Sequence, residues 1–140
     1  MLFRSHLTPN AGQYAYAETI LDLGADAIWG HHPHVLQPVC FYKGKPILFS
    51  TGNFIFGTMS NVDPYTGIFQ LHYEPGADGS PRLARLSVVP MRTRHKDGEY
   101  RPYLLTDPEE IETCYSRLVA AKPGKGATAL PADFVKTGEV

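Results

Sequence analysis

The sequence predicts an α/β fold, with helices and strands arranged in layers, and three observations predict it. Residues 8–24 and 106–124 each carry the signals of a helix, one towards each end of the chain. Between them lie two pairs of apolar, β-rich runs whose short links contain glycine, as β-hairpins do. The chain has 140 residues and an apolar fraction of 43%, which is enough for one domain with its own core.

The first helix is predicted from the stretch TPNAGQYAYAETILDLG. Thr8 suits the N-cap, Pro9 suits the first helical position, and Gly24 suits the residue that follows the last turn. The short apolar run ADAIW, residues 25–29, comes next and predicts a buried strand. A turn that begins directly after it would therefore lie at the end of a strand, where open α/β sheets bind ligands.

Two hairpins are predicted in the middle of the chain. The runs VLQPVCFY and PILFS are joined by KGK, with Gly44 at the tip. The runs TGIFQLHYEP and RLARLSVVPM alternate with a period near two and are separated by GADGS, which predicts a second antiparallel pair with one polar face.

The last helix has the clearest signals. Asp107 suits the N-cap and Pro108 the first position, with Glu110 at capping-box spacing. An apolar stripe at helical spacing follows, formed by Ile111, Cys114, Tyr115, Leu118 and Val119. We therefore expect a folded unit over 1–121 that ends on this helix. Residues 122–140 show no clear period and are expected to form a loosely structured tail.

Three of the six histidines stand within four positions, in the stretch GHHPH at residues 30–34. Proline restricts the residue before it to extended geometry, and in an extended segment positions two apart project the same way. His32 and His34 are therefore predicted to face one metal ion or two adjacent ones, with His31 directed to a substrate or to the surroundings of the metal. The alternative is an exposed polar turn.

Two imidazoles are too few for a catalytic metal, which usually takes three protein ligands. His6 is the only other histidine in the first half of the chain and is the candidate third ligand. The alternative for His6 is an exposed side chain near a frayed terminus.

Charge and hydropathy exclude several classes of protein. With 13 basic and 14 acidic residues, the chain lacks the basic excess that binding to nucleic acid requires. No apolar run approaches a membrane span, and the first residues lack the apolar region of a signal peptide. Arg92 and Arg94 are candidate contacts for an anionic polymer, and the alternative is a solvated strand end.

Over residues 24–57 the sequence resembles the closing motif block of the bacterial capsule-synthesis protein CapA family, which serves poly-γ-glutamate synthesis. The similarity continues more weakly over residues 1–105. The residues that carry it are Gly30, His32, Pro33, His34, Val35, Gln37, residues 43–47, Ser50, Gly52, Asn53 and Phe54.

That family is similar to the calcineurin-like metallophosphoesterases. The resemblance implies part of a four-layer α/β/β/α sandwich with antiparallel hairpins and a C-terminal helix, and a centre of two divalent ions such as Mn, Zn or Fe. His32 and His34 match the terminal pair of ligands, one for each metal, and His6 matches an upstream ligand. Asn53 matches a family position and joins His31 as a candidate catalytic residue, with a plain turn asparagine as the alternative. Gln37 is a candidate substrate-binding residue.

The early motifs of that superfamily, which include a bridging aspartate, do not occur in this sequence. We therefore expect the carboxyl-terminal part of a larger domain, which carries half of a phosphoesterase-like site and is inactive as an isolated chain. The resemblance implies capsule or poly-γ-glutamate biosynthesis, with a phosphoester or an anionic polymer as substrate. The alternative is a non-catalytic binding or scaffold protein for polymer assembly or export. Full-length family members are often at the cell envelope.

The expected partner is either a missing N-terminal half or a second copy of the chain. A truncated sandwich would leave sheet edges open, and open edges pair with other strands. The sequence therefore predicts self-association as well as a metal site.

Overall fold

Two β-sheets and three helices make up the part of the chain that the computed structural model describes, which is residues 6–56, 63–93, 101–120, 122, 123 and 126–140. In chain order the elements are α1 (Ala11–Asp22), β1 (Ile28–Trp29), β2 (Val39–Tyr42), β3 (Lys45–Leu48), β4 (Tyr65–Pro75), β5 (Pro81–Arg92), β6 (Tyr103–Leu104), α2 (Pro108–Val119), β7 (Ala127–Ala129) and α3 (Phe134–Thr137). The predicted α/β class is confirmed.

The first sheet has the strand order β1-β3-β2-β7. β2 and β3 form the predicted antiparallel hairpin, and β1 pairs with β3 in parallel, with Ile28 opposite Ile47. At the hairpin tip, Lys43 and Gly44 both have positive φ, 51° and 78°. Two such residues in succession form the tight turn that matches the twist of the strands, and glycine takes this conformation without strain.

The second sheet has the order β4-β5-β6 and consists mainly of the second predicted hairpin. β4 and β5 pair over their whole length, from Tyr65 opposite Arg92 to Pro75 opposite Pro81, with a bulge between His72 and Tyr73. The short strand β6, which the sequence analysis did not predict, extends this sheet beside the end of β5.

The helix α1 begins two residues later than predicted, because Asn10 rather than Thr8 is its N-cap. The Asn10 side chain accepts a hydrogen bond from the Gln13 backbone N–H, and the Gln13 side chain accepts one from the Asn10 backbone N–H. This reciprocal pair satisfies two helix-terminal donors at once, so it fixes the start of the helix. Gly24 has a positive φ, as expected after a helix end.

The predicted N-cap and first-turn proline of α2 are confirmed, and the helix ends at Val119. Asp107 is its N-cap, with the carboxylate accepting from the N–H groups of Glu109 and Glu110, and Pro108 occupies the first turn. Within the predicted stripe, Cys114, Tyr115 and Leu118 are buried. These side chains face the core that α2 shares with both sheets.

The two faces of the first sheet bury different side chains, as the alternation of a strand requires. Cys40 and Ile47 face α1, in a cluster with Leu21. Val39 and Leu48 face the other way and join a larger core with the second sheet and with α2 and α3. None of the helices in the described ranges is long and apolar enough to cross a membrane.

The described part of residues 122–140 is packed, so the expectation of a loosely structured tail is wrong for these residues. β7 pairs with β2, and Phe134 of α3 is fully buried in the larger core. Val140 exchanges two backbone hydrogen bonds with Leu86 of β5, at 2.7 and 2.8 Å. Each of these elements is only three or four residues long, which is too short to show a period, and each depends on partners far away in the sequence.

Candidate functional site: the histidine turn

The histidine turn, residues 30–34, leaves the end of β1 in close contact with β3. The Gly30 N–H donates to the carbonyl of Leu48 at 2.7 Å, and a Cβ on Gly30 would stand 2.2 Å from the carbonyl oxygen of Phe49. No side chain fits there, so the close approach of the two backbones requires glycine. Because β1 and β3 are parallel, their carboxyl ends lie together, and residues 30–34 meet residues 49–53.

The backbone of the turn differs from the expected extended form. His32 has φ 88° and His34 has φ 61°, both in the left-handed region. The expectation that Pro33 keeps His32 extended is therefore wrong. The packing on both sides of the turn determines its path, since Gly30 is held to β3 and Pro33 is fully buried. The two imidazole rings nevertheless lie near each other, with centroids 5.9 Å apart.

Asn53 holds the ring of His34. The His34 Nδ1 lies 2.8 Å from the Asn53 Oδ1. An amide oxygen only accepts hydrogen bonds, so Nδ1 carries the proton and donates, and in the neutral ring Nε2 keeps a free lone pair. Asn53 is 7% exposed, so its side chain serves this contact from a buried position rather than as the plain turn residue considered from sequence. The candidate catalytic role of Asn53 stays a prediction.

His31 points to a different neighbour from His34. Its ring is exposed, and Nδ1 lies 3.3 Å from the Oγ1 of Thr51. Thr51 is a site residue that the sequence analysis missed, because only the parallel pairing of β1 and β3 brings it to the turn.

An apolar rim, defined here as Phe54, Ile55 and Phe56, borders the turn and was also missed. All three side chains are exposed, with 83% of Ile55 accessible, and the Phe56 ring stacks on His34 at 5.0 Å. The signal was present in the sequence, since three large apolar residues in succession directly after a polar turn are unusual on a surface.

Gln37 is not placed to bind a substrate, because it is 0% exposed and both ends of its amide are occupied. Its Nε2 donates to the backbone carbonyl of His6 at 2.9 Å, and its Oε1 accepts from the Gln13 side chain at 3.2 Å. Gln37 therefore fastens the His6 segment and the start of α1 to the strand that follows the turn. The His6 side chain itself is exposed.

Arg92 is mostly buried and is engaged within the protein. It forms an ion pair with Glu110, and its guanidinium lies over the ring of Tyr65. The predicted contact with an anionic polymer would have to compete with Glu110. Arg94, the other candidate, lies outside the described residues.

The histidines fit a metal only in part. A metal-bound imidazole normally donates its second N–H to a fixed acceptor, and the His34–Asn53 pair has that arrangement. Over the ranges that the structure describes, however, no group of three or more His, Cys, Asp or Glu side chains is arranged to hold a metal ion. His32 and His34 thus provide two neighbouring donors, but the described residues do not complete a metal site.

Fold and site together define a class: an α/β protein with paired imidazoles at the carboxyl end of a parallel strand pair. Residues 4–58 match the family model of the bacterial capsule synthesis protein PGA_cap. The resemblance to CapA-type proteins is thereby confirmed.

Three relatives illustrate the similarity. The PGA biosynthesis protein CapA of Bacillus subtilis is 37% identical over 83 residues, which cover 59% of this chain and 20% of that protein. The capsule biosynthesis protein CapA of Bacillus anthracis is 36% identical over 94 residues, covering 67% of this chain and 21% of that protein. A probable polyglutamine synthesis accessory protein of Mycobacterium tuberculosis is 39% identical over 91 residues, covering 58% of this chain and 22% of that protein. The chain thus spans about a fifth of the length of these relatives.

Proposed function

We propose that this chain acts in the biosynthesis of a capsule polymer of the poly-γ-glutamate type, and that its histidine turn supplies His32 and His34 to a divalent-metal centre. The names of the relatives support the first part. The observation that carries the second part is the hydrogen bond between His34 Nδ1 and Asn53 Oδ1, which leaves Nε2 as a metal donor.

A divalent metal bound at such a centre would supply a bound water of lowered pKa and would polarise a phosphoryl oxygen, which is phosphoesterase chemistry. The residues of this chain would hold and orient the imidazoles that bind the metal. Asn53 fixes the His34 ring from a buried position, and the exposed ring of His32 lies beside it. Gln37 holds the backbone of His6, the third candidate ligand, next to the strand that follows the turn.

Two histidines and an exposed third one make up only half of a two-metal site, which normally needs a bridging carboxylate as well. We therefore expect weak metal binding and no efficient phosphoester hydrolysis by this chain alone. The assay measures the hydrolysis of an aryl phosphodiester in the presence of Mn²⁺ or Zn²⁺. Robust hydrolysis of this substrate by the purified chain, lost in His32→Ala, would contradict the proposal that the chain carries only half of the site.

Calorimetric titration with Mn²⁺ and Zn²⁺ tests the metal centre. We expect binding to the unaltered chain, with loss of binding in His32→Ala and His34→Ala. Asn53→Ala should weaken binding by roughly 10–100-fold, the usual effect of removing the partner of a ligating imidazole. The matched control is His72→Ala, because His72 lies on β4 and contacts Arg85 instead of the turn. Equal binding by all four variants, or none by the unaltered chain, would overturn the proposal.

The apolar rim favours a second candidate, a non-catalytic binding or scaffold role in polymer assembly or export. Three exposed apolar side chains in succession are costly for a surface that binds nothing. A well-folded chain without metal affinity, whose association with other capsule-synthesis components is lost in Ile55→Ser, would support this role over the first.

A further inference from the structure

We infer that Phe56 is a positioning residue for His34: it stacks on the face of the imidazole and, together with Asn53, fixes the direction in which Nε2 points. The inference rests on the proposed function, because it concerns the same His34 donor. The centroids of the Phe56 and His34 rings are 5.0 Å apart, and the two ring planes meet at 26°. This distance and the small angle are those of a stacked pair of rings.

The ring of a histidine needs such contacts because its own torsions do not determine its orientation. Rotation about χ2, which turns the ring relative to Cβ, has broad minima, so rotamer preferences leave the direction of Nε2 open. At His34 the hydrogen bond from Nδ1 to the Asn53 Oδ1, at 2.8 Å, holds one edge of the ring. A hydrogen bond at one edge still lets the ring tilt about that bond, and the flat side chain of Phe56 against its face removes this freedom.

One short segment, residues 53–56, supplies both contacts with the imidazole, and the start of this segment is anchored on two sides. Thr51 forms a β-bridge with Leu36, and its carbonyl accepts a hydrogen bond from the Thr66 hydroxyl at 2.8 Å. Asn53 itself is buried. The segment therefore extends from a fixed base, and a ring that it contacts at both edge and face is held in one orientation.

Core packing does not account for the aromatic ring of Phe56. Its side chain is half-exposed, and among the described residues it belongs to neither of the two hydrophobic clusters. Its ring instead covers the imidazole of His34. A substitution at Phe56 should therefore change the orientation of that imidazole more than the stability of the fold.

Proton NMR of the metal-free chain tests the stacking itself. An aromatic ring shifts protons that lie over its face upfield, so the C–H signals of the His34 ring should be displaced from those of an exposed histidine such as His6. We expect Phe56→Leu, which keeps an apolar side chain without a ring, to abolish this displacement, and Phe56→Tyr to retain it. His34→Ala assigns the signals. Undisplaced His34 signals in the unaltered chain, or a displacement that Phe56→Leu leaves unchanged, would overturn the inference.

Calorimetric titration with Mn²⁺ and Zn²⁺ tests the consequence for the metal donor. Without the stacked ring, metal binding must itself immobilise the imidazole, so Phe56→Leu should weaken binding roughly 2–10-fold, and Phe56→Tyr should bind as the unaltered chain does. The matched control is Ile55→Ala, the exposed neighbour in the apolar rim, which should leave the affinity unchanged.

Equal affinities of Phe56→Leu and the unaltered chain, or an equal loss in Phe56→Tyr and Phe56→Leu, would overturn the role of Phe56. Absence of metal binding by the unaltered chain would instead overturn the proposed function, and with it any role of Phe56 towards a metal. The spectra of the metal-free chain would still show whether Phe56 fixes the His34 ring, so the two failures are distinguishable.

Discussion

His32 and His34 hold their side chains on backbone conformations that disfavour them. Their φ values, 88° and 61°, lie in the left-handed region, where a residue with a Cβ is less stable by roughly 1–2 kcal/mol. Glycine would avoid this strain. Two imidazoles at strained positions, one of them fixed by Asn53, support the proposal that the turn serves a function rather than stability.

Replacing His32 by glycine should therefore stabilise the fold while removing a metal donor. The relief of about 1–2 kcal/mol of strain offsets the entropic cost of glycine, about 0.5–1 kcal/mol, so we expect a gain of up to about 1.5 kcal/mol in the free energy of unfolding. Urea denaturation measures it.

His31→Gly is the control for this change, because His31 is a neighbouring exposed histidine without a positive φ. At this position glycine relieves no strain, and we expect the free energy of unfolding to fall by about 0.5–1 kcal/mol. If both variants were destabilised alike, the left-handed backbone at His32 would not be strained.

At this scale the residue types of the site were predictable from the sequence, but their surroundings were not. The spacing of His32 and His34 around Pro33 indicates a rigid pair of donors, and the rings do lie together. The backbone path, in contrast, depends on the contact of Gly30 with β3, and the burial of Gln37 depends on His6, which is 31 residues away. Local pattern carries no information on such distant partners.

Among the elements, those with strong local signals formed as predicted. Asp107 and Pro108 start α2, and Lys43 with Gly44 turns the first hairpin. The start of α1 was misplaced because Thr8 and Asn10 are both suitable caps, and only Asn10 has Gln13 three residues later. Tertiary contacts form β6, β7 and α3, whose sequences carry weak preferences of their own.

Truncating Phe134 tests whether α3 is an integral element. Phe134 is fully buried in the larger core and meets Tyr115 at a ring distance of 5.5 Å. Phe134→Ala should therefore lower the free energy of unfolding by about 3–5 kcal/mol, as expected for a buried aromatic. Lys136→Ala, on the exposed side of the same helix, should change it by no more than about 0.5 kcal/mol. A small effect of both changes in denaturant titrations would mean that residues 122–140 are loosely attached after all.

Across the whole molecule, the two cysteines are buried thiols in separate clusters, one on each side of the first sheet. Burial raises the pKa of Cys114 to about 12 and that of Cys40 to about 11. An unfolded chain would release the same protons near pH 8.5. The folded state thus binds these protons more tightly than the unfolded state does.

Stability should therefore fall as the pH rises above about 8.5, and continue to fall until the folded thiols ionise near their raised pKa values. Below that window the contribution of the thiols is fully present. Cys114→Ala should make the decline shallower, because one of the two linked protons is removed, whatever its effect on stability at neutral pH. Urea denaturation over a series of alkaline pH values measures how steeply the free energy of unfolding falls with pH. Identical slopes for the unaltered chain and for Cys114→Ala would contradict a contribution from the Cys114 thiol.

The close approach at Gly30 has a consequence for protein design. The conformation of the histidine turn depends on the contact of Gly30 with Phe49 on the neighbouring strand. The five-residue peptide alone is therefore not expected to keep this conformation in another protein. Transplanting the imidazole pair onto another scaffold requires moving the whole block 28–53, which brings the neighbouring strand and Asn53 along with it.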